Sequence, residues 1–222
     1  MIKFMPVLKE SSLFKEISDD DMPNMLECLD AHINNYALHD IIIQEGQFIS
    51  DLGIIVQGQA QITKYDYLGN RTIIADILPG DIFAEAYAFQ KGLPVPVNVT
   101  SITASEVLWL NCARITAVCP NVCSFHSKLI KNLCLIMASK NILLNRKIEH
   151  ISRRTTREKL LSYLSDQTFL QGNSEFDIPF NRQELADYLC VDRSAMSSEL
   201  RRMQDEGLIK YRLNHFELTK IH

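Results

Sequence analysis

Arg193, Ser194, Ser197, Ser198 and Arg201 fall on one side of a helical repeat, while Ala195, Met196, Leu200 and Met203 fall on the other. Fixed positive charges and short hydroxyls are no nucleophile–base pair and no metal-ligand set; they are what reading the major groove of DNA requires. Such a helix needs a second one to hold it, and residues 181–189 supply the pattern. Asn181 caps that helix and Glu184, three residues on, completes a capping box. Leu185, Ala186 and Leu189 form its apolar face, and Asp192 is an N-cap for the helix that follows. The same spacing also suits an ordinary solvated helical hairpin. The flanking chain has to decide.

Glu206-Gly207-Leu208-Ile209 ends the second helix at a glycine. Lys210-Tyr211-Arg212-Leu213 and Phe216-Glu217-Leu218 then read as two short strands, with Asn214-His215 as the hairpin turn between them. Two helices and a β-hairpin in this order make a winged helix-turn-helix. Over nearly its whole length the chain resembles the CRP/FNR family, the cyclic-AMP receptor protein and its relatives, which are bacterial transcription regulators.

The resemblance implies roles position by position. Arg182 and Gln183 match positions that hold DNA phosphates, and Arg193 matches a basic residue that contacts a base or phosphate. Ser194, Ser197 and Ser198 face the groove, and Arg201 or Arg202 reaches phosphate. The best-known members carry a glutamate near Ser194 and an arginine at Ser198, so TGTGA- or TTGAT-type half-sites are not assumed here. A homodimer would place paired recognition helices roughly 34 Å apart, on an inverted-repeat operator. RNA polymerase is a further partner the resemblance admits, and whether transcription rises or falls stays open.

At 222 residues and 46% hydrophobic content the chain is long enough for two small domains with real cores. The net charge of −4 argues weakly against a nucleic-acid binder taken whole. From Ile151 to His222, however, 11 Lys/Arg balance 11 Asp/Glu, so the DNA reading rests on where the cations sit. No run approaches a membrane span and the start lacks a signal-peptide core, which makes the cytoplasm the expected location. The six cysteines are expected to be free thiols; Cys119 and Cys123 lack zinc-knuckle spacing. His126 and His150 read as polar surface of a helix, and no metal or cofactor is expected.

The rest of the chain must sense and connect. A helix is expected from Leu13 to about Leu29, with Ser18 as cap ahead of Asp19, Asp20 and Asp21. From Asn34 to Leu110 short β-rich runs recur between glycine turns, which means a sandwich or barrel. Gln44-Glu45-Gly46, Ile55-Val56-Gln57-Gly58, Gly80-Asp81 and Glu85 stand in the order found in the β-roll of cyclic-nucleotide-binding domains. Pro120 suits a helix start, and no glycine or proline interrupts 121–152. Ile130, Cys134, Met137, Asn141, Leu144, Ile148 and Ile151 alternate spacings of four and three, the seam of a two-stranded coiled coil. A helix lying on the β-roll of its own chain is the alternative, because Leu129, Leu133, Ile136 and Leu143 widen the apolar face. Thr155 and Glu158 form a second capping box after a hinge at Arg153-Arg154. The expected fold is thus α+β: a β-roll effector domain (1–119), a dimerisation helix (120–152) and a winged helix-turn-helix (153–222).

Family members that bind cyclic AMP grip its phosphate with an Arg-Ser pair ten residues after the position of Glu85. Here Val95-Pro96 stands there, with neither charge nor hydroxyl, and Ala84 replaces a usual glycine. A cyclic phosphate would enter uncompensated, at a cost of several kcal/mol, so cyclic AMP is not the expected effector. Glu85, Tyr87, Phe89 and Asn98 could line an effector pocket, with Asn141 and Asn145 approaching from the long helix. Asn141 equally suits a buried asparagine that fixes dimer register. The functional expectation is a dimeric DNA-binding regulator controlled by an unidentified small effector. A constitutive binder whose pocket is vestigial, filled by Tyr87, Phe89 and Val95, is the alternative. A cupin-like enzyme would need clustered His and Glu ligands, and between Asn34 and Leu110 only His39 is available.

Overall fold

The computed structural model describes residues 2–69, 71–90, 92–117 and 124–219. Cys119, Cys123 and the helix start expected at Pro120 lie outside the described residues. The chain divides into two compact units, 1–137 and 138–222.

The first unit opens with α1 (Met5–Glu10) and α2 (Asp21–Cys28). The single helix expected from Leu13 is instead a 3-10 turn, Ser12–Phe14, followed by α2. Ser18 Oγ accepts from the Asp21 amide at 3.2 Å, so the helix opens at the third aspartate and not at Asp19. The strands β1 (His32–Tyr36), β2 (Ile41–Ile43), β3 (Asp51–Gln57), β4 (Ala60–Tyr65), β5 (Arg71–Ile77) and β6 (Ile82–Phe83) follow. Then come α3 (Glu85–Phe89), β7 (Asn98–Ser101), β8 (Ser105–Asn111) and α4 (Cys112–Thr116). They form two antiparallel four-stranded sheets, in the orders β1-β8-β3-β6 and β2-β7-β4-β5. Six strands match apolar runs of the sequence. β1 was not among them because Asn34 and Asn35 break its alternation, and β6 has only two residues.

β3 is buried on both faces, which is why it reads as an unbroken apolar run. Ile55 joins Ile43, Val95, Val99, Val107 and Trp109 between the sheets. Leu52, Ile54 and Val56 join Leu8, Leu26, Leu108, Leu129 and Leu133 on the outer side. Gly53 lies under Phe83, whose ring stands 2.3 Å from where a Cβ would be, so no side chain fits there.

The long helix α5 (Ser124–Ile151) begins in the first unit. Leu129 and Leu133 are buried against the outer core, and Asn132 donates to the carbonyls of Leu13 and Lys15 at 3.0 and 2.7 Å. This half of the helix is therefore bound to its own β-roll.

The second unit continues with α6 (Thr156–Gln171), β9 (Glu175–Asp177), α7 (Arg182–Leu189), α8 (Arg193–Asp205), β10 (Ile209–Arg212) and β11 (His215–Leu218). Leu160, Tyr163 and Leu164 of α6 pack on Leu185 and Leu189 of α7 and on Met196, Leu200 and Met203 of α8. The wing is a three-stranded antiparallel sheet, β10-β11-β9, one strand more than the hairpin expected. Its turn is Leu213-Asn214, one residue earlier than expected, because Arg212 pairs with His215. Asn214 is tied to Ile178 through its side-chain amide (3.2 Å) and its carbonyl (2.9 Å), which holds it in the turn. The architecture is the α+β arrangement of β-roll, long helix and winged helix-turn-helix that the sequence implied.

Candidate nucleic-acid interface

Both helices of the reading motif start where their caps place them. Asn181 Oδ1 accepts from the amides of Gln183 (2.9 Å) and Glu184 (3.0 Å), while Glu184 returns a bond to the Asn181 amide at 2.7 Å. Asp192 Oδ1 accepts from the Ala195 amide at 2.8 Å and from the Ser194 hydroxyl. The Ser194 bond first, and the Ala195 amide next, hold the Asp192 carboxyl below the usual range. Cys190 closes α7 in the left-handed region at φ +52°, and Lys159 Nζ donates to the Leu189 and Cys190 carbonyls at 3.1 and 3.3 Å. Lys159 thereby satisfies carbonyls that the end of α7 leaves open. No sequence pattern announced this role.

The exposed side of α8 carries Arg193, Ser194, Ser197, Ser198 and Arg201, as expected. Ala195 is exposed with them and does not join the core; Met196, Leu200 and Met203 suffice to bury the inner face. The three serines are not equivalent. Ser194 donates to Asp192 and Ser197 donates to the Arg193 carbonyl at 2.9 Å. The Ser198 hydroxyl has no partner among the described residues.

Gln183 is exposed, its Nε2 donating to Asp187 Oδ1 at 2.9 Å. Arg182 is half-buried, with its guanidinium 4.7 Å from the Tyr211 ring centre and 5.1 Å from that of Phe216.

Electrical neutrality of this segment hides an asymmetry. Nearly every acidic side chain is already engaged. Glu158 and Glu184 close capping boxes, Asp192 caps α8, and Glu199 and Glu206 bind Arg157. Glu217 pairs with Lys210, Glu175 and Asp177 with His215, Asp187 with Gln183, and Asp166 with Arg146 and His150. Arg154, Arg193, Arg201 and Arg212 have no side-chain partner among the described residues. Asp205 is the segment's one carboxylate without a partner among the described residues, so the unpaired side chains are mostly cationic. Arg212, in the wing, escaped sequence reasoning because a strand pattern carries no sign of which cations stay unpaired.

In the first unit Glu85 is buried at the start of α3, and Ala84 before it takes the left-handed conformation at φ +66°. A glycine would adopt that backbone without strain. Tyr87 packs on the core between the sheets and Phe89 on the outer core. Asn98 Oδ1 accepts from the Glu45 amide at 2.9 Å. Val95 is only 2% exposed, and its backbone pairs with Gly46 and Gln47 at 2.7 and 2.9 Å. Asn141 and Asn145 belong to the second unit, where Asn145 Nδ2 donates to Asn141 Oδ1 at 2.9 Å.

Of the seam positions, Ile130, Cys134, Met137, Asn141, Leu144 and Ile148 are exposed in the single chain and Ile151 is half-buried. Leu144 and Ile148 are 60% and 59% exposed. The two helix histidines are not surface groups. His126 is buried with Nε2 3.9 Å from Cys28 Sγ, and His150 is 2% exposed with Nδ1 3.0 Å from Ser162 Oγ. The apolar neighbours of α5 that bury them come from distant segments, which the helical spacing could not disclose. Burial first, partly offset by Asp166, holds the His150 ring below its ordinary pKa. Cys112, Cys134 and Cys190 are free thiols, and burial pushes Cys112 up to about 12. Among the described residues no group of three His, Cys, Asp or Glu side chains could hold a metal ion, and no helix is long and apolar enough to cross a membrane.

Two family models match the chain. Residues 33–120 fit a cyclic nucleotide-binding domain, and residues 158–222 fit a Crp-like helix-turn-helix domain. No curated protein matches it. Among solved structures it is similar to the catabolite activator protein of Thermus thermophilus, at 18% identity over 94% of this chain and 93% of that one, with a TM-score of 0.51. The c-di-GMP-responsive global regulator CLP of Xanthomonas campestris is 15% identical over 92% and 100%, with a TM-score of 0.55. CprK complexed with OCPA is 12% identical over 89% and 88%, with a TM-score of 0.62. At such identities the likeness is one of fold.

Proposed function

Because the chain belongs to the CRP/FNR family of transcription regulators, we propose that it acts as a homodimer reading an inverted-repeat operator under control of a small effector other than cyclic AMP. The observation that carries the DNA reading is the leftover positive charge of Arg193 and Arg201 on the exposed face of α8, beside the free hydroxyl of Ser198. Gln183 and Arg201 suit phosphate contacts, and Arg193 suits a base edge or phosphate. Such a protein works in the cytoplasm as a regulator and not as an enzyme, and RNA polymerase is a natural further partner. Dimerisation accounts for the apolar seam that one chain leaves exposed along α5.

The effector reading is narrower. Val95 stands where cyclic-AMP binders place the phosphate-gripping arginine, and it lies among the apolar residues between the sheets. Val95 itself offers a cyclic phosphate no cation. Effector binding would instead repack α5 around Asn141 and re-aim the reading heads about Arg153-Arg154, the two-state coupling that allostery requires. The burial of Val95 also favours a second reading, a constitutive regulator with a vestigial pocket.

Selection of bound sequences from random duplex DNA tests the core of this, with Arg193→Ala as the paired sample. A selected inverted repeat, bound by the wild type and weakened by about 1–3 kcal/mol per half-site in Arg193→Ala, is expected. Unchanged footprints of the variant would overturn the assignment. Repeating the selection with cell extract separates the two effector readings: the constitutive one requires full occupancy without extract. Micromolar binding of cyclic AMP in a calorimeter would refute its exclusion.

A further inference from the structure

Arg182 opens α7 at the position where the family resemblance expects a phosphate contact, yet its head group is turned inward. The capping box at Asn181 fixes the first turn of α7 and with it the direction of the Arg182 side chain. The guanidinium lies 4.7 Å from the centre of the Tyr211 ring and 5.1 Å from that of Phe216. Those two rings are cross-strand partners in β10 and β11, stacked 5.8 Å apart at an interplanar angle of 25°. Phe216 in turn stacks on Phe176 of β9, its partner on the other side, at 6.4 Å and 18°. Four flat groups thus run in a ladder from the first reading helix across all three strands of the wing. Arg182 Nη2 is buried and has no hydrogen-bond acceptor among the described residues. A phosphate contact needs that head group at the surface; a stacked plate needs it where it is.

We propose that Arg182 is a positioning residue that latches the wing to α7, setting the wing's angle on DNA, and that it touches no phosphate. Phe176, Ile209, Phe216 and Leu218 bury the sheet in the core it shares with α6, α7 and α8, while its printed ion pairs stay internal: Lys210 with Glu217, and His215 with Glu175 and Asp177. Burial, partly offset by Tyr211, lowers the Arg182 pKa, as befits a cation enclosed by rings. The planarity of the group is therefore its essential property. Lysine keeps the charge and loses the plate.

The proposal rests on the DNA-binding reading for its consequence but not for its structural half, so the test has two arms. Hydrogen exchange on the DNA-free protein reads the latch alone. Arg182→Lys and Arg182→Ala should both speed exchange of the β10 and β11 amides, while Arg193→Ala leaves them unchanged. Operator binding against salt then reads the role on DNA. Both Arg182 variants should lose roughly tenfold in affinity, with the slope of log K against log salt unchanged. Wild-type affinity in Arg182→Lys, with a slope reduced by about two in Arg182→Ala (about one per protomer), would make Arg182 a phosphate contact and overturn the proposal. Unchanged wing exchange in both variants would overturn it as well. Failure of the wild type to bind any duplex would count against the DNA reading, and the exchange arm would still judge the latch.

Discussion

Arg157 and Glu206 meet through two parallel bonds, Nη1 to Oε2 at 2.9 Å and Nη2 to Oε1 at 2.6 Å, which tie α6 to the residue that closes α8. Arg157 Nε also donates to Glu199 Oε1 at 2.6 Å. One guanidinium therefore holds the recognition helix at its middle and at its end. Flat, forked geometry is what Arg offers and Lys does not. Arg157→Lys should lower the thermal midpoint and widen operator specificity, checked by calorimetry and by competition between matched and mismatched duplexes. Equal midpoints for the variant and wild type would show the fork to be dispensable.

Stability should depend on pH through two histidines of opposite sign. The buried His150 has a folded-state pKa below its ordinary 6.5, so the unfolded chain takes up the proton first. Its contribution is complete above that value and is lost as pH falls below it. His215, hydrogen-bonded first to Asp177 and then to Glu175, is raised above 6.5. Its contribution is present at low pH and is lost as pH rises through the raised value. Urea denaturation at pH 5.5 and 7.5 should therefore show a steeper loss on acidification in His215→Gln than in the wild type, and a shallower one in His150→Gln.

Loss of the α7 cap should be felt by the whole winged unit. Asn181→Ala removes the acceptor for two amides, at a cost of about 1 kcal/mol. The midpoint in urea should fall without a change in slope. A change in slope would point to a wider rearrangement than a lost cap.

The serines of α8 should separate in a binding selection. Ser198→Ala removes the one hydroxyl of the three that the helix does not already use, so the preferred base at one position should change. Ser197→Ala, whose hydroxyl is bonded to the Arg193 carbonyl, should leave the selected sequence as it was. The reverse result would mean that the intrahelical bond breaks on DNA.

Charging the seam should separate the protomers. Leu144→Glu with Ile148→Glu puts two carboxylates on the exposed apolar stripe of α5. Sedimentation should show a single-chain species and operator affinity should collapse. A stable dimer in the double variant would place the interface elsewhere.

Local patterns determined much of this protein from the sequence alone. Caps at Asn181, Asp192 and Thr155, helical spacing of Met196, Leu200 and Met203, and glycine-punctuated β runs act over a few residues, so the order of elements and the fold class were legible. A resemblance in ordered motifs supplied the name of the β-roll. What only tertiary structure decided depends on residues distant along the chain. It shows that His150 is enclosed by α6 and α7, that Ala195 stays outside the core, and that β9 adds a third strand to the wing. It also shows Arg182 spending its charge on aromatic rings while Arg193 keeps its own. Whether a cation is free depends on which carboxylates reach it, and that is a property of packing, not of spacing.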